Sequence, residues 1–317
     1  MPRTRDGVRG AVITGWGCAV GNRRVTNHDL EQTLDTSDTW IVERTGISER
    51  QVGGSTAELS IRSGQAALEM SGLDPASIDA LVLSTTTPDR VVPATSATVQ
   101  AGLGLRCGAF DVNAACSGWV YGLVNAHGLV AMGAERILLI GTDTLSRIID
   151  WSDRNTAVLF GDGSGAVVLE AVDGAGQMLA WDLDADGTAE ELLFADIGGF
   201  VQMSGKEVFR RAVRIMVDSA RKSIAHAGID IEDVALVVPH QANKRIIEAA
   251  TKQLGIPLDR SSVVLQRTGN TSSASIPLAL VDALDNGRVK MGDLVLFVGF
   301  GAGMTAASAV IRWGATS

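Results

Sequence analysis

Two segments of this chain repeat one pattern, and the repeat constrains the fold more than any other feature. Residues 72–84, GLDPASIDALVLS, align without a gap to residues 228–240, GIDIEDVALVVPH. Each segment has a glycine, an apolar residue, an aspartate and a short turn before an apolar strand. A second pair, residues 160–168 and 298–310, places two glycines two positions apart before an apolar segment. The repeats predict two similar halves packed around a shared core, although any helix–turn–strand unit produces a related pattern.

Apolar runs alternate with helical periods along the chain. Strands are predicted at 78–85, 136–141, 165–170, 234–239 and 293–299, and helices at 56–71, 117–131, 206–227 and 243–254. Strands that alternate with helices favour a parallel or mixed sheet in a layered α/β fold. Because no flexible linker interrupts the chain, we expect two packed halves, residues 1–170, which contain Cys116, and residues 171–317, which contain His240 and Asn270.

Composition excludes several functional classes. With 27 basic and 36 acidic residues the formal net charge is −9, which argues against nucleic-acid binding and requires an acidic partner to dock on a local basic patch. No apolar run approaches the roughly 18 residues of a membrane span, so no membrane association is expected. The apolar stretch 11–20 contains Gly15 and Gly17 but no leucine. We interpret it as a strand rather than a signal peptide, and expect a cytoplasmic protein.

Three cysteines and four histidines leave few candidates for catalysis, and their spacing predicts neither a metal site nor a disulfide framework. Cys116 follows a strand-like segment and precedes an apolar helix, so the positive end of the helix dipole favours its thiolate. We interpret Cys116 as a nucleophile, although most free cysteines are small buried residues. That second interpretation is the one we apply to Cys18 and Cys107.

Two further residues stand at positions typical of active sites. His240 follows the predicted strand 234–239, and α/β sheets build their sites at the carboxyl ends of strands. Asn270 lies in a loop of small residues, where its amide is able to donate a hydrogen bond to an oxyanion. A core or capping histidine and a turn asparagine are the structural alternatives. The glycine-rich loop 299–304 lacks the third glycine of a dinucleotide-binding motif, so no nucleotide is expected there.

Five motifs, in order along the chain, resemble the β-ketoacyl-acyl carrier protein synthase III family of the thiolase fold. They are DTSDTWIVERTGI at 35–47, ACSG at 115–118, FGDGSG at 160–165, PHQAN at 239–243 and GNTS at 269–272. The resemblance extends over nearly the whole chain. It implies a duplicated α/β fold in five layers, α-β-α-β-α, a homodimer, and no cofactor, since acyl-CoA is a substrate.

The resemblance also implies a decarboxylative Claisen condensation that initiates fatty acid biosynthesis. An acyl-CoA primer acylates Cys116, and malonyl-acyl carrier protein then loses CO2 to give an enolate that attacks the acyl group. His240 and Asn270 donate hydrogen bonds to the malonyl thioester carbonyl. The backbone N–H groups of Cys116 and Ala302 hold the acyl oxyanion, and Ala302 stands where the family usually has glycine.

Binding residues follow from the same motifs and from the charge pattern. The resemblance implies CoA contacts with Trp40, Arg44, Arg147 and Asn243, and an acyl pocket with Val92 and Phe300. Val92 stands where acetyl-using relatives have a phenylalanine that closes the pocket from the partner subunit, so we expect tolerance of longer primers. A stripe of arginines on helix 206–227 is usually only a solvated face. Together with basic residues near His240 it is a candidate dock for the acidic carrier protein, formed by Arg210, Arg214, Arg245 and Lys252.

Other functions remain open from the sequence. The same fold and catalytic residues serve starter-unit synthases of polyketide or other secondary-metabolite pathways, and acyltransferases that pass an acyl group to an alcohol or amine. A nicotinamide oxidoreductase is disfavoured by the glycine pattern. A non-catalytic binding protein would require Cys116, His240 and Asn270 to be incidental.

Overall fold

In the computed structural model, which describes residues 8–314, two large β-sheets lie between three layers of helices. The strands are β1 (Gly10–Val20), β2 (Arg23–Thr26), β3 (Glu49–Val52), β4 (Ala80–Ser84), β5 (Gly108–Val112), β6 (Arg136–Thr144), β7 (Asp162–Val172), β8 (Met178–Asp184), β9 (Leu193–Phe194), β10 (Gln202–Met203), β11 (Val234–Pro239), β12 (Leu294–Gly301) and β13 (Thr305–Arg312). The α-helices are α1 (Asn27–Glu31), α2 (Asp38–Thr45), α3 (Thr56–Ser71), α4 (Thr95–Gly102), α5 (Gly118–Ala131), α6 (Arg154–Ala157), α7 (Gly205–Ala227), α8 (Lys244–Leu254), α9 (Leu265–Thr268) and α10 (Ser275–Asp285).

The two large sheets follow the same plan. The first has the order β1-β7-β6-β4-β5 and the second the order β8-β13-β12-β11. In each sheet two antiparallel pairs are followed by a parallel pair, which is β6 with β4 in the first sheet and β12 with β11 in the second. The first sheet continues with β5, which is parallel to β4. The second sheet therefore repeats four strands of the first.

The repeated sequence segments occupy equivalent places in the two halves. Gly72 ends α3 and Gly228 ends α7, both in the left-handed conformation, with φ of +69° and +67°. Glycine adopts this conformation without steric cost, which explains why both repeats begin with it. Each is followed by a short 3-10 turn and by the strand β4 or β11.

Buried serines repeat in the same way. Ser63 on α3 lies 2.6 Å from Ser164 on β7, oxygen to oxygen, and Ser219 on α7 lies 2.9 Å from Ser308 on β13. On these equivalences we propose that the two halves derive from one duplicated unit. The boundary between residues 170 and 171 stays a prediction, and β7 continues past it to Val172.

The layers are held together by apolar contacts. Helices α5 and α10 lie between the sheets, α3 and α4 cover the outer face of the first sheet, and α7 and α8 cover that of the second. In the central layer Trp119 of α5 meets Phe297 of β12 edge to face, with ring centroids 5.2 Å apart and both side chains buried. The expected α-β-α-β-α fold in five layers is confirmed.

The predicted elements are present, with shifts of a few residues at their ends. The stretch 11–20 is strand β1, as expected. Strand β13 was not predicted, because it is rich in alanine. Helix α10 begins inside the serine-rich loop that contains Asn270. Among the described residues, no helix is long and apolar enough to cross a membrane.

Replacing Phe297 tests the contact between the two halves. Phe297→Ala should lower the free energy of unfolding by about 3–5 kcal/mol, because a fully buried ring leaves a cavity. Met132→Ala is the control: Met132 lies at the end of α5, is 87% exposed, and should change stability by no more than about 0.5 kcal/mol. Urea unfolding followed by circular dichroism measures both. If the two variants lost the same free energy of unfolding, the central position of Phe297 would be contradicted.

Candidate active site

Cys116 lies in the 3-10 turn Ala115–Ser117, which leads directly into α5. Ala115 has a φ of +49°, a conformation that non-glycine residues rarely adopt. Gly301, at the end of β12, packs against the backbone of this turn, and a Cβ at Gly301 would lie 2.7 Å from Cys116 N. The nucleophile turn of the first half is therefore in direct contact with a strand end of the second half.

Burial is the largest influence on the Cys116 thiol and raises its pKa to about 12. A hydrogen bond with the Ser272 side chain lowers the pKa, while the charge of Asp143 raises it. The start of α5 also favours the thiolate. The sequence-based expectation of a thiolate stabilised by the helix end did not include this burial, which leaves the resting thiol protonated near neutral pH.

His240 lies directly after β11 and is buried. Its Nδ1 is 2.6 Å from the Oγ of Ser275, and this Oγ also accepts a hydrogen bond from Gln241 N–H at 3.3 Å. Among the described residues Nδ1 is the only acceptor bonded to the Ser275 hydroxyl, so we assign the hydroxyl hydrogen to Nδ1, which leaves the ring hydrogen on Nε2. Among the described residues Nε2 has no protein partner, and burial lowers the His240 pKa to about 3. The ring is neutral at neutral pH and offers one N–H donor.

Asn270 is held by the first half through its backbone. Asn270 N–H donates to Leu159 O at 2.8 Å, and its carbonyl accepts from Gly161 N–H at 3.0 Å. The side-chain Oδ1 accepts from Ser272 N–H at 2.9 Å. Since the amide oxygen is engaged, the Nδ2 group is the part left to donate to a bound molecule.

Two cavities meet at Cys116. The larger, of about 720 Å³, is lined by Cys116, His240 and Asn270. The smaller, of about 400 Å³, is lined by Cys116 and Ala302 among others. The structure thus brings together the three residues that the sequence singled out as catalytic, although they lie in different halves of the chain.

The walls of the smaller cavity could not be found from the sequence. They come from several separate segments, and no motif connects them. Their side chains include Thr86, Asn113, Leu145, Ile148, Phe160, Leu193, Phe194 and Val201. Phe300, which was expected in an acyl pocket, lines the larger cavity, where its ring meets His240 edge to face at 5.4 Å.

Three of the four expected CoA contacts line the larger cavity, namely Trp40, Arg44 and Asn243. The Arg44 guanidinium lies 4.6 Å from the Trp40 ring centroid. The Asn243 amide accepts from Arg245 N–H and donates to Arg44 O, both at 2.9 Å. Its polar atoms therefore connect α2 to the start of α8.

Arg147 does not line either cavity at Cys116. Its guanidinium pairs with Asp89 at 2.9 Å and donates to Thr87 O at 2.5 Å. Arg154, which no sequence motif indicated, also lines neither cavity, but its guanidinium lies over the ring of Trp40, which does, at 5.0 Å from the ring centroid. Nothing local distinguishes these two arginines, because only the folding of α6 against α2 brings Arg154 to the tryptophan.

The four expected docking residues are all exposed on α7 and α8. Their surroundings differ. Arg245 lines the larger cavity and lies 5.5 Å from the ring of Phe209, whereas Arg210 pairs with Glu207. Arg214 borders a separate recess of about 540 Å³. Lys252 lies in the last turn of α8.

Other expectations have mixed outcomes. Val92 is 80% exposed and lines neither cavity, so its place in an acyl pocket depends on a partner subunit and stays a prediction. Cys18 is exposed and Cys107 half-buried, so the expectation that both are core residues is wrong for Cys18 and only partly met by Cys107. Among residues 8–314, no cluster of three or more histidine, cysteine, aspartate or glutamate side chains is placed to hold a metal ion.

Two family models and a curated relative match this chain. Residues 110–187 match the family model "3-Oxoacyl-[acyl-carrier-protein (ACP)] synthase III", and residues 224–313 match the model of its C-terminal part. A β-ketoacyl-[acyl-carrier-protein] synthase III of Roseiflexus castenholzii is 51% identical over 96% of this chain and 98% of that relative.

Solved structures give the same result. A 3-oxoacyl-[acyl-carrier-protein] synthase III from Aquifex aeolicus superposes with a TM-score of 0.94 at 42% identity, over 96% of this chain and 100% of that one. The priming β-ketosynthase of the R1128 polyketide pathway superposes with a TM-score of 0.92 at 34% identity, over 96% and 97%.

The reactivity of Cys116 should depend steeply on pH. Because the pKa of its thiol is raised to about 12, alkylation by iodoacetamide should become faster with each step in pH up to pH 9.5. A free cysteine derivative, with a pKa of about 8.5, should approach its limiting rate over the same range. Peptide mass spectrometry measures the modified fraction of Cys116. A limiting rate reached below pH 8 would show that the helix end outweighs burial.

Proposed function

This chain belongs to the β-ketoacyl-acyl carrier protein synthase III family, and on that premise we propose a two-step mechanism centred on Cys116. The enzyme is a condensing acyltransferase that initiates fatty acid biosynthesis. The observation that carries the mechanism is the meeting of Cys116, His240 and Asn270 at one cavity, with free donors on the last two.

In the first step the Cys116 sulfur attacks the thioester of an acyl-CoA. The acyl–sulfur bond of CoA breaks, the acyl group forms a thioester with Cys116, and the cysteine proton leaves with CoA as its thiol. The backbone N–H groups of Cys116 and Ala302 stabilise the oxyanion of the tetrahedral intermediate. This assignment is supported by the position of both residues in the wall of the smaller cavity.

In the second step malonyl-acyl carrier protein enters the larger cavity and loses CO2. Negative charge develops on its thioester oxygen, and His240 Nε2–H and Asn270 Nδ2–H stabilise it. The enolate carbon attacks the acyl group, and the Cys116 thiolate is released and takes up a proton. A neutral histidine suits this role, because it donates one hydrogen bond without a net charge.

The two cavities have different tasks in this proposal. The larger receives CoA, with Trp40 stacking on the adenine and cationic groups beside the Trp40 ring from Arg44 and, in place of Arg147, Arg154. The smaller receives the acyl chain of the primer. Its lining of leucine, isoleucine, valine and phenylalanine side chains supports an apolar ligand.

Further parts of the proposal rest mainly on family membership. We propose a homodimer in which Val92 approaches the partner's acyl pocket, and a carrier-protein dock around Arg210 and Arg214 on α7. We also propose the cytoplasm as the site of action, and no cofactor besides the substrates. A starter-unit synthase of a secondary pathway is the less favoured alternative, because its structural relative is 34% identical while curated synthases III reach 51%.

Replacement of each catalytic residue should separate the two steps. After incubation with acyl-CoA, mass spectrometry should find an acyl adduct on Cys116 that Cys116→Ala lacks. His240→Ala and Asn270→Ala should still form the adduct but lose about 10²–10³-fold in condensation, since each lacks one oxyanion donor. Release of CO2 from malonyl-carrier measures the second step. If His240→Ala and Asn270→Ala lost acylation as strongly as condensation, the assigned roles would be contradicted.

The docking surface is testable apart from the CoA site. Because Arg245 lines the larger cavity, its reversal would disturb both substrates. Arg210→Glu combined with Arg214→Glu should instead raise the KM for malonyl-carrier and leave the acyl-CoA kinetics unchanged. Lys290→Glu combined with Arg106→Glu, two exposed reversals away from α7, changes the net charge by the same amount and is the control. Docking at α7 would be refuted if the α7 variant impaired the kinetics of both substrates equally, or if the control raised the KM for malonyl-carrier as much.

A further inference from the structure

Asp143 is a fully buried carboxylate on β6 to which the mechanism assigns no task. One of its oxygens accepts hydrogen bonds from three consecutive threonines. They come from Thr85 Oγ1 at 3.1 Å, Thr86 N and Oγ1 at 2.7 and 3.0 Å, and Thr87 N and Oγ1 at 3.2 and 3.0 Å. The other oxygen accepts from Ser273 N–H at 3.0 Å.

The two segments that Asp143 joins belong to different halves and both reach the site. Thr86 lines the smaller cavity. Ser273 lies in the 3-10 turn Ser272–Ala274, whose first residue bonds the Cys116 thiol and, through its N–H, orients Asn270. The turn packs directly on β6, since a Cβ at Gly141 would lie 2.7 Å from Ser273 O.

We propose that Asp143 is a positioning residue, which fixes the threonine segment 85–87 and the turn Ser272–Ala274 at a set separation around Cys116. The inference deepens the proposed acyl transfer and rests on it for its kinetic part. Asp143 does not touch the reacting atoms. It acts through Thr86 on the acyl cavity and through Ser273 on the groups that contact the thiol.

The hydrogen-bond geometry explains why a carboxylate is needed. The partners include three backbone N–H groups, which are able only to donate, so both oxygens of the side chain must accept. Asparagine keeps the shape but offers one acceptor oxygen and an NH2 group. Whichever way the amide is oriented, its NH2 group faces the N–H donors of one of the two segments. The buried N–H groups of that segment then lose their acceptor. The two segments are then free to separate.

The test is the rate of Cys116 acylation in Asp143→Asn, followed by mass spectrometry in single turnovers with short and longer acyl-CoA primers. We expect a fall in the rate constant of acylation of about 10²-fold, the cost of misplacing reacting groups by about 1 Å. The loss should appear in the maximal rate more than in the acyl-CoA concentration for half-maximal rate, because the CoA contacts are untouched. Because the charge of Asp143 raises the pKa of Cys116, its removal should also shift the pH dependence of iodoacetamide alkylation of Cys116 to lower pH.

Asp111→Asn is the matched control. Asp111 lies on β5 of the same sheet, accepts from Thr95 N–H and Ser96 N–H at 3.0 and 2.9 Å, and lines neither cavity. It should acylate within about threefold of the parent chain. If Asp143→Asn does not fold, Thr85→Val removes one donor to Asp143 and one acceptor of Thr87 N–H while keeping the side-chain shape. This variant should still slow acylation at least threefold.

Three outcomes overturn the proposal. They are a folded Asp143→Asn with parental acylation and alkylation, an equal loss in Asp111→Asn, and, if Asp143→Asn does not fold, a Thr85→Val with parental acylation. If the parent chain itself forms no acyl adduct, the proposed function fails, and amide hydrogen exchange decides on Asp143, because Asp143→Asn should speed exchange of the N–H groups of Thr86, Thr87 or Ser273. Exchange at all three that is unchanged by Asp143→Asn would then reject its role.

Discussion

The active site depends on backbone hydrogen bonds between the two halves of the chain. Asn270 belongs to the second half, yet its N–H and its carbonyl bond to Leu159 and Gly161 of the first. These two bonds align the segment before β7 with the loop before α10, and so bring Asn270 to the nucleophile of the first half. On the opposite side, Gly301 at the end of β12 contacts the Cys116 turn closely enough to exclude any side chain. Neither half contains a complete site.

Backbone strain is concentrated at this junction. In the described part of the chain, the non-glycine residues with positive φ are Ala115, Ser272 and Met304. Ala115 precedes Cys116, Ser272 follows Asn270 by two positions, and Met304 ends the turn that contains Ala302. Such conformations cost about 1–3 kcal/mol each and persist where surrounding packing determines them. Here the packing is the apolar layer of α5 and α10 between the two sheets, which holds the three turns against each other.

Burial sets the chemistry of the site as much as the identity of its residues. It lowers the pKa of His240 to about 3 and raises that of Cys116 to about 12, so both side chains are neutral near pH 7. Each of these two neutral side chains is contacted by a serine. Ser275 directs the His240 hydrogen to Nε2, and Ser272 contacts the thiol. A site with few net charges suits a reaction in which negative charge develops only transiently on the substrate.

The sequence by itself determined the layered α/β fold, the repeat, most long elements and the candidates Cys116, His240 and Asn270. The fold and the elements follow from local patterns, namely apolar periodicity and glycines at helix ends, whereas the catalytic roles of the three candidates follow from the resemblance of the five motifs to a known family. Tertiary structure alone decided the rest. Arg154 rather than Arg147 faces Trp40, Phe300 lies beside His240, and the resting thiol is protonated. Each of these depends on which distant segments pack together and how much water they exclude, and no local pattern encodes that.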